Sequence, residues 1–134
     1  MRADFDRSFN MSLEINKTFH EKITAIFEKK HVYSSTFCDC TGLEPMMFTR
    51  MNRPGYNPNM RTVMSVCVGL GLDVLTTESL LKSAGLAFSP VNRVHFAYIY
   101  LLENCKGMNI EDCNNILESF GIDKKDFLGT IPRK

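Results

Sequence analysis

The sequence predicts an all-α fold: five short amphipathic helices followed by a two-helix C-terminal extension. Three observations carry that expectation. Apolar residues recur at three- and four-residue spacing through most of the chain, as along one face of a helix. Start and stop residues punctuate these runs, with Ser, Thr or Asn ahead of them and Gly behind them. No stretch alternates apolar and polar residues for long enough to make a strand.

Size and composition agree. A chain of 134 residues is one domain, or one domain with a small appendage. Hydrophobic residues make up 44% and charged residues 23%, an ordinary globular balance that excludes a disordered chain. Sixteen Lys and Arg against fifteen Asp and Glu give a net charge of +1, which argues against nucleic-acid binding by bulk charge. No apolar run reaches the roughly 18 residues a membrane helix needs. The longest, 63–75, is broken by Ser65, Gly69, Gly71 and Asp73. The N-terminus has no apolar signal-peptide core. Five cysteines is an odd count with no sign of secretion, so reduced thiols and a cytoplasmic location are expected, with no membrane partner.

Residues 1–17 carry mixed charges with scattered apolar positions (Phe5, Phe9, Leu13, Ile15) and are expected to form a loose helix or an ordered arm. The first core helix places Phe19, Ile23, Ile26, Phe27 and Lys30 on one face. Thr18 caps it, with Glu21 as the capping-box partner. Ser34 or Ser35 caps the second, which carries Phe37, Cys38 and Thr41 and stops at Gly42, the left-handed residue of its turn. The third runs over 44–52, opening on Glu44 and Pro45, which suit a first turn. Phe48 and Met51 point inward.

Residues 53–58 pack Pro, Gly and Asn into a loop. The fourth helix has Val63, Val66, Cys67 and Leu70 on its inner face, with Gly69 and Gly71 weakening its end. Thr76 or Thr77 caps the fifth, which carries Leu80, Leu81 and Ala84 up to Gly85. Ser89 and Pro90 start the sixth, with Val91, Val94, Tyr98, Leu101, Leu102 and Cys105 inward. Asn109 caps the seventh, with Ile110, Cys113, Ile116, Leu117 and Phe120 inward and Gly121 as its stop. Phe127 and Leu128 of the tail are expected to dock on the core.

The informative unit is the pair of short helices hinged on Gly42, a helix–turn–helix. Cys38 is small where the second helix crosses, Leu43 plugs the turn, and Phe48 and Met51 pack back. This unit resembles the Cro and lambda-repressor type of helix–turn–helix domain, the XRE-like family of bacterial and phage regulators. Thr41-Gly42-Leu43 resembles the family's turn. Residues 57–63 resemble its loop and fourth-helix start, and Gly71-Leu72-Asp73 through Leu80-Leu81 its closing turn and fifth helix. The similarity covers about 19–88. It implies three parts: an appendage at 1–17, a five-helix lambda-repressor-like domain at 18–88, and a helical extension at 89–134.

The resemblance also implies a function: a transcriptional regulator that binds double-stranded DNA, with helix 44–52 in the major groove. Carried over by position, the readers are Glu44, Pro45, Met46, Thr49 and Arg50. Ser35 and Thr36 meet phosphate, as do Arg53, Asn57 and Arg61. Family readers are usually Ser, Arg, Gln, Asn or Lys, whereas this helix offers one carboxylate, a proline and two methionines. Arg50 can pair with guanine, Glu44 can accept from cytosine, and Met46 or Met47 can touch a thymine methyl. From 44 to 61, three arginines against one glutamate give a net charge of +2. So few contacts give weak, salt-sensitive binding unless a two-fold dimer reaches two half-sites about 34 Å apart. A homodimer held by the 91–120 helices is therefore expected.

Plainer readings stand beside these. Cys38, Cys67, Cys105 and Cys113 fall on apolar faces, where free cysteine packs as a small hydrophobe, with Cys40 more exposed. The Cys38–Cys40 spacing is too tight for the usual zinc pairs and no second pair follows, so no metal is expected. His20, His31 and His95 lie far apart with no triad-like partners, so neither catalysis nor a cofactor nor a small-molecule substrate is expected. Met46 and Met47 cannot both point inward, so one faces a groove or a partner. Phe96, Tyr98, Ile99 and Tyr100 nearly encircle their helix, which either packs beneath the fifth and seventh helices or forms a dimer interface. The alternative function is a protein-interaction module, antitoxin-like or phage-derived, that has lost DNA binding and uses Met46, Met47 and Phe48 as its contact.

Overall fold

The computed structural model of the protein describes residues 1–15 and 17–130, with the side chains of residues 12–15 outside that description. All regular structure among the described residues is helical: α1 (Arg2–Ile15), α2 (Phe19–Lys29), α3 (Ser34–Thr41), α4 (Pro45–Met51), α5 (Met60–Gly69), α6 (Val74–Ser83), α7 (Arg93–Asn104), α8 (Ile110–Ser119) and a 3₁₀ turn (Lys124–Asp126). No described helix is long and apolar enough to cross a membrane. The expected appendage contains α1, whose Phe5 and Phe9 are exposed. The side chains of Leu13 and Ile15 lie outside the described residues.

Two helix starts follow the sequence residue by residue. Thr18 Oγ1 accepts from the Glu21 N–H at 3.2 Å while Glu21 Oε1 accepts from the Thr18 N–H at 3.2 Å. Asn109 Oδ1 accepts from the Asp112 N–H at 2.8 Å to start α8.

Three starts differ from expectation, each because a better-placed acceptor wins. At α3 neither Ser34 nor Ser35 caps. Both fall inside the first turn, and Thr36 Oγ1 reaches back to accept the Tyr33 N–H at 2.8 Å. At α6 the cap is Asp73, not Thr76 or Thr77; its carboxylate accepts the Thr76 N–H at 2.7 Å and adds a negative charge to the positive helix end. At α7 the cap is Asn92, whose Oδ1 accepts from both Val94 and His95 N–H groups. Ser89 and Pro90 instead form a turn closed by the Asn92 N–H on the Ser89 carbonyl, which leaves Val91 exposed rather than on an inner face.

The core is one continuous apolar cluster running from Phe19 to Leu128. Its hub is α5, against which α3, α6, α7 and α8 all pack. Every residue from Thr62 to Val68 is buried, more than the single face 63–66–67–70 anticipated, because neighbours cover α5 on all sides. Leu70, at its end, is only half-buried. Gly69 permits the closest approach: a Cβ there would run into the Cys40 carbonyl of α3. Gly69 is thus the small residue where α5 meets α3, and Cys38 is half-buried.

Candidate nucleic-acid interface

The paired helices α3 and α4 are built around Gly42, which sits at φ +69° and ends α3 with its N–H on the Cys38 carbonyl at 3.0 Å. A left-handed residue here turns the chain sharply enough for α4 to cross α3, and glycine adopts it without a Cβ clash. Two groups then lock the turn. Leu43 is buried, and the buried Thr41 hydroxyl donates to the Phe37 carbonyl at 2.7 Å while accepting the Leu43 N–H at 3.1 Å. Behind the turn, Phe27, Phe37 and Phe48 form an aromatic cluster with centroids 5.3–5.8 Å apart, and Met51 is fully buried. His20 Nδ1 lies 3.3 Å from the Met51 carbonyl oxygen, a second tie between α2 and α4.

With Phe48 and Met51 turned inward, the outer face of α4 is uncovered: Glu44, Pro45, Met46, Thr49 and Arg50 are all exposed. Of the two methionines, Met46 is the outward one and Met47 is half-buried. The Arg50 guanidinium lies along the helix over both, with Nη2 3.2 Å from Met46 Sδ and Nη1 3.6 Å from Met47 Sδ. Glu44 is the N-cap residue of α4, and its carboxylate makes no cap bond.

Glu44, Arg50 and Arg61 line one open hollow of about 400 Å³ with Met47, Tyr56, Asn59 and Thr130. Burial raises the Tyr56 phenol above its ordinary pKa, opposed by the Arg50 charge. Ser35, Thr36, Met46, Thr49, Arg53 and Asn57 stay outside the hollow and exposed. Thr36 is committed locally, since its hydroxyl also donates to the Tyr33 carbonyl at 3.0 Å.

Arg61 is held from another direction. Its Nη1 donates to the Phe127 carbonyl at 3.1 Å and to the Gly129 carbonyl. The tail is pinned there as far as Thr130. Gly129 N–H donates to Ser65 Oγ at 2.8 Å, Thr130 N–H to the Gly42 carbonyl at 2.8 Å, and Tyr98 Oη to the Asp126 carbonyl at 2.6 Å. Asn114 takes both polar groups of Leu128, at 2.8 and 3.0 Å. Leu128 docks in the core as expected, while Phe127 is half-buried.

The sequence reading assigns no role in this region to Tyr56, Ser65 or Asn114, which the fold brings to it. Tyr56 carries a signal of a kind, an aromatic residue inside a Pro-Gly-Asn loop. Ser65 and Asn114 carry none, because their partners lie 64 and 14 positions away. Among the described residues no group of three or more His, Cys, Asp or Glu could hold a metal ion. No protein-family model, curated protein or solved structure matches the chain significantly.

Proposed function

We propose that the protein is a small, non-enzymatic DNA-binding transcriptional regulator with a lambda-repressor-like helix–turn–helix domain, acting as a homodimer. The observation that supports this most is the uncovered outer face of α4, held rigidly from behind by the Phe27–Phe37–Phe48 cluster and by Met51. A helix fixed on one side and free on the other is what major-groove reading requires.

In this reading Arg50 leaves the methionine sulfurs, which are weak acceptors, to pair with a guanine edge. Glu44 accepts from a cytosine amine and Met46 meets a thymine methyl. Thr49 lies on the same face. Arg53, Asn57 and Ser35 stand at the phosphates. Arg61 and Thr36 contribute position more than contact, because Arg61 Nη1 and the Thr36 hydroxyl already donate to the tail and to the Tyr33 carbonyl. The α7 and α8 helices hold the dimer.

The experiment is selection from a random duplex library by the full chain, followed by sequencing of the retained fragments. A two-fold related motif with half-sites about 34 Å apart is expected. Retention of no fragment at low salt overturns the reading.

A protein-interaction module is the second reading, and one observation favours it. Arg50 laid over Met46 and Met47 makes a compact Met–Arg surface, and both residue types are enriched at protein interfaces. It predicts that the library selection returns nothing while Met46→Asp abolishes capture of a partner.

A further inference from the structure

Among the described residues, two clustered apolar features are uncovered. The first is the stripe of α1. Met1, Phe5 and Phe9 follow at four-residue spacing, the two rings lie parallel with centroids 6.5 Å apart, and Phe5 and Phe9 are 69% and 55% exposed. The second is a groove of about 310 Å³ between α7 and the chain following α8, lined by Arg93, Phe96, Ala97, Tyr100, Phe120 and Ile122. Phe96 is 70% and Tyr100 41% exposed. Tyr100 packs edge-on against Phe120 at 5.1 Å, and Arg93 Nη2 is pinned to the Phe120 carbonyl at 2.7 Å, so the groove is rigid before anything enters it.

We propose that the α1 stripe of one copy seats in the α7–α8 groove of a second copy, and reciprocally, so that the dimer is an exchange of N-terminal arms. The inference deepens the dimer of the proposed function; it rests on that reading for the presence of two copies and not for DNA.

Area supports this occupant. At about 200 Å² for a fully exposed aromatic side chain, the four uncovered rings of one stripe and one groove amount to about 500 Å². Two reciprocal contacts then bury about 1,000 Å² from aromatics alone, the level a stable interface needs before its rim is added. A single arm on a single groove falls short of it.

Charge supports it too. Asp4 and Asp6 flank Phe5 on either side of the stripe, and the groove wall carries the cation Arg93. The same acids disfavour a lipid surface: α1 sets Arg2 and Arg7 against Asp4, Asp6 and Glu14, net −1, where a helix that binds anionic membranes carries a basic polar face.

The test is light scattering during size-exclusion chromatography of the full chain and two variants. One loses the stripe (Phe5→Asp with Phe9→Asp) and one the groove (Phe96→Asp). All three positions are exposed, so the fold tolerates them. The wild type is expected to be a dimer, and each variant alone to dissociate with a Kd weaker by about 30-fold or more, the loss a central aromatic anchor gives on truncation. Mixing the two variants rebuilds one of the two reciprocal contacts, so the mixture is expected to associate more tightly than either variant alone and more weakly than the wild type.

A mixture that associates no more tightly than either variant alone overturns the exchange. So does a dimer that survives loss of the stripe; broken only by Phe96→Asp, that dimer leaves a direct α7 contact and the proposed function standing. A wild type monomeric at all working concentrations overturns the exchange and the homodimer together.

Discussion

Arg61 Nη1 donates to the carbonyl oxygen of Phe127 at 3.1 Å, joining the first turn of α5 to a residue 66 positions further along the chain. That bond, with its neighbour on Gly129, closes the tail over the hinge between α3 and α4. The cation that the family resemblance places at DNA phosphate is thus also a clip for the tail.

Arg61→Ala is therefore expected to lower stability by about 2 kcal/mol, the range for charge-assisted hydrogen bonds that are half-buried. Arg61→Lys should recover little of it, since one ammonium does not reproduce the guanidinium fork. Urea denaturation measures both. A phosphate contact alone would leave the urea midpoint of Arg61→Ala unchanged.

Three glycines should respond differently to alanine. Gly42→Ala forces a side chain to φ +69° and sets its Cβ 3.3 Å from Gly129 Cα and Ile110 Cγ2, so a loss of about 1–3 kcal/mol is expected. Gly55→Ala meets nothing within 4 Å at φ +84° and should lose only the backbone share, about 1 kcal/mol. Gly69 is helical, where alanine normally gains about 1 kcal/mol, yet here it strikes the Cys40 carbonyl and the sign should invert. Urea midpoints of the three variants check the order.

Acid should weaken the fold through its helix caps. The backbone hydrogen bond from Thr76 holds the Asp73 carboxyl below its ordinary pKa, and the bond with Thr18 does the same for Glu21. A carboxyl lowered in the folded state stabilises fully above its unfolded value, about 4, and loses that contribution as pH falls through and below it. Thermal melts from pH 7 to pH 2 should show a smaller acid loss for Asp73→Asn, which keeps an amide cap that does not titrate.

The cysteines should divide by burial. Burial pushes the Cys67 thiol up to about 12 and the Cys113 thiol up to about 11, so neither presents thiolate near neutral pH. Iodoacetamide at pH 8, followed by peptide mass spectrometry, should label the half-buried Cys38 and Cys40 first. Cys67 labelled as fast as Cys40 would contradict the core packing.

What was legible in the sequence was local. The Thr18–Glu21 box, the Asn109 cap and the Gly42 turn are short-range chemistry between residues two to four apart, and each forms as read. The caps at Tyr33, Asp73 and Asn92 were harder because several acceptors crowd one helix start. Only the folded backbone decides that Asn92 outcompetes Ser89, or that Thr36 reaches back past two serines. The exposed face of α4 was legible because Phe48 and Met51 mark its inner side. The fate of Arg61 was not, since its partners are backbone carbonyls more than sixty residues away, and a carbonyl leaves no mark in a sequence.

The proposed reading of DNA by α4 is tested by the salt dependence of binding to a selected site. For the full chain as a dimer, log K should fall linearly with log salt, and Arg53→Ala should reduce the slope by about 2, one phosphate per protomer. Arg50→Ala should cost about 1–3 kcal/mol per half-site and relax preference at one base pair. Arg61→Ala, measured well below its melting point, should leave the slope unchanged. An affinity and slope untouched by both Arg50→Ala and Arg53→Ala, or no binding at low salt, would contradict the claim.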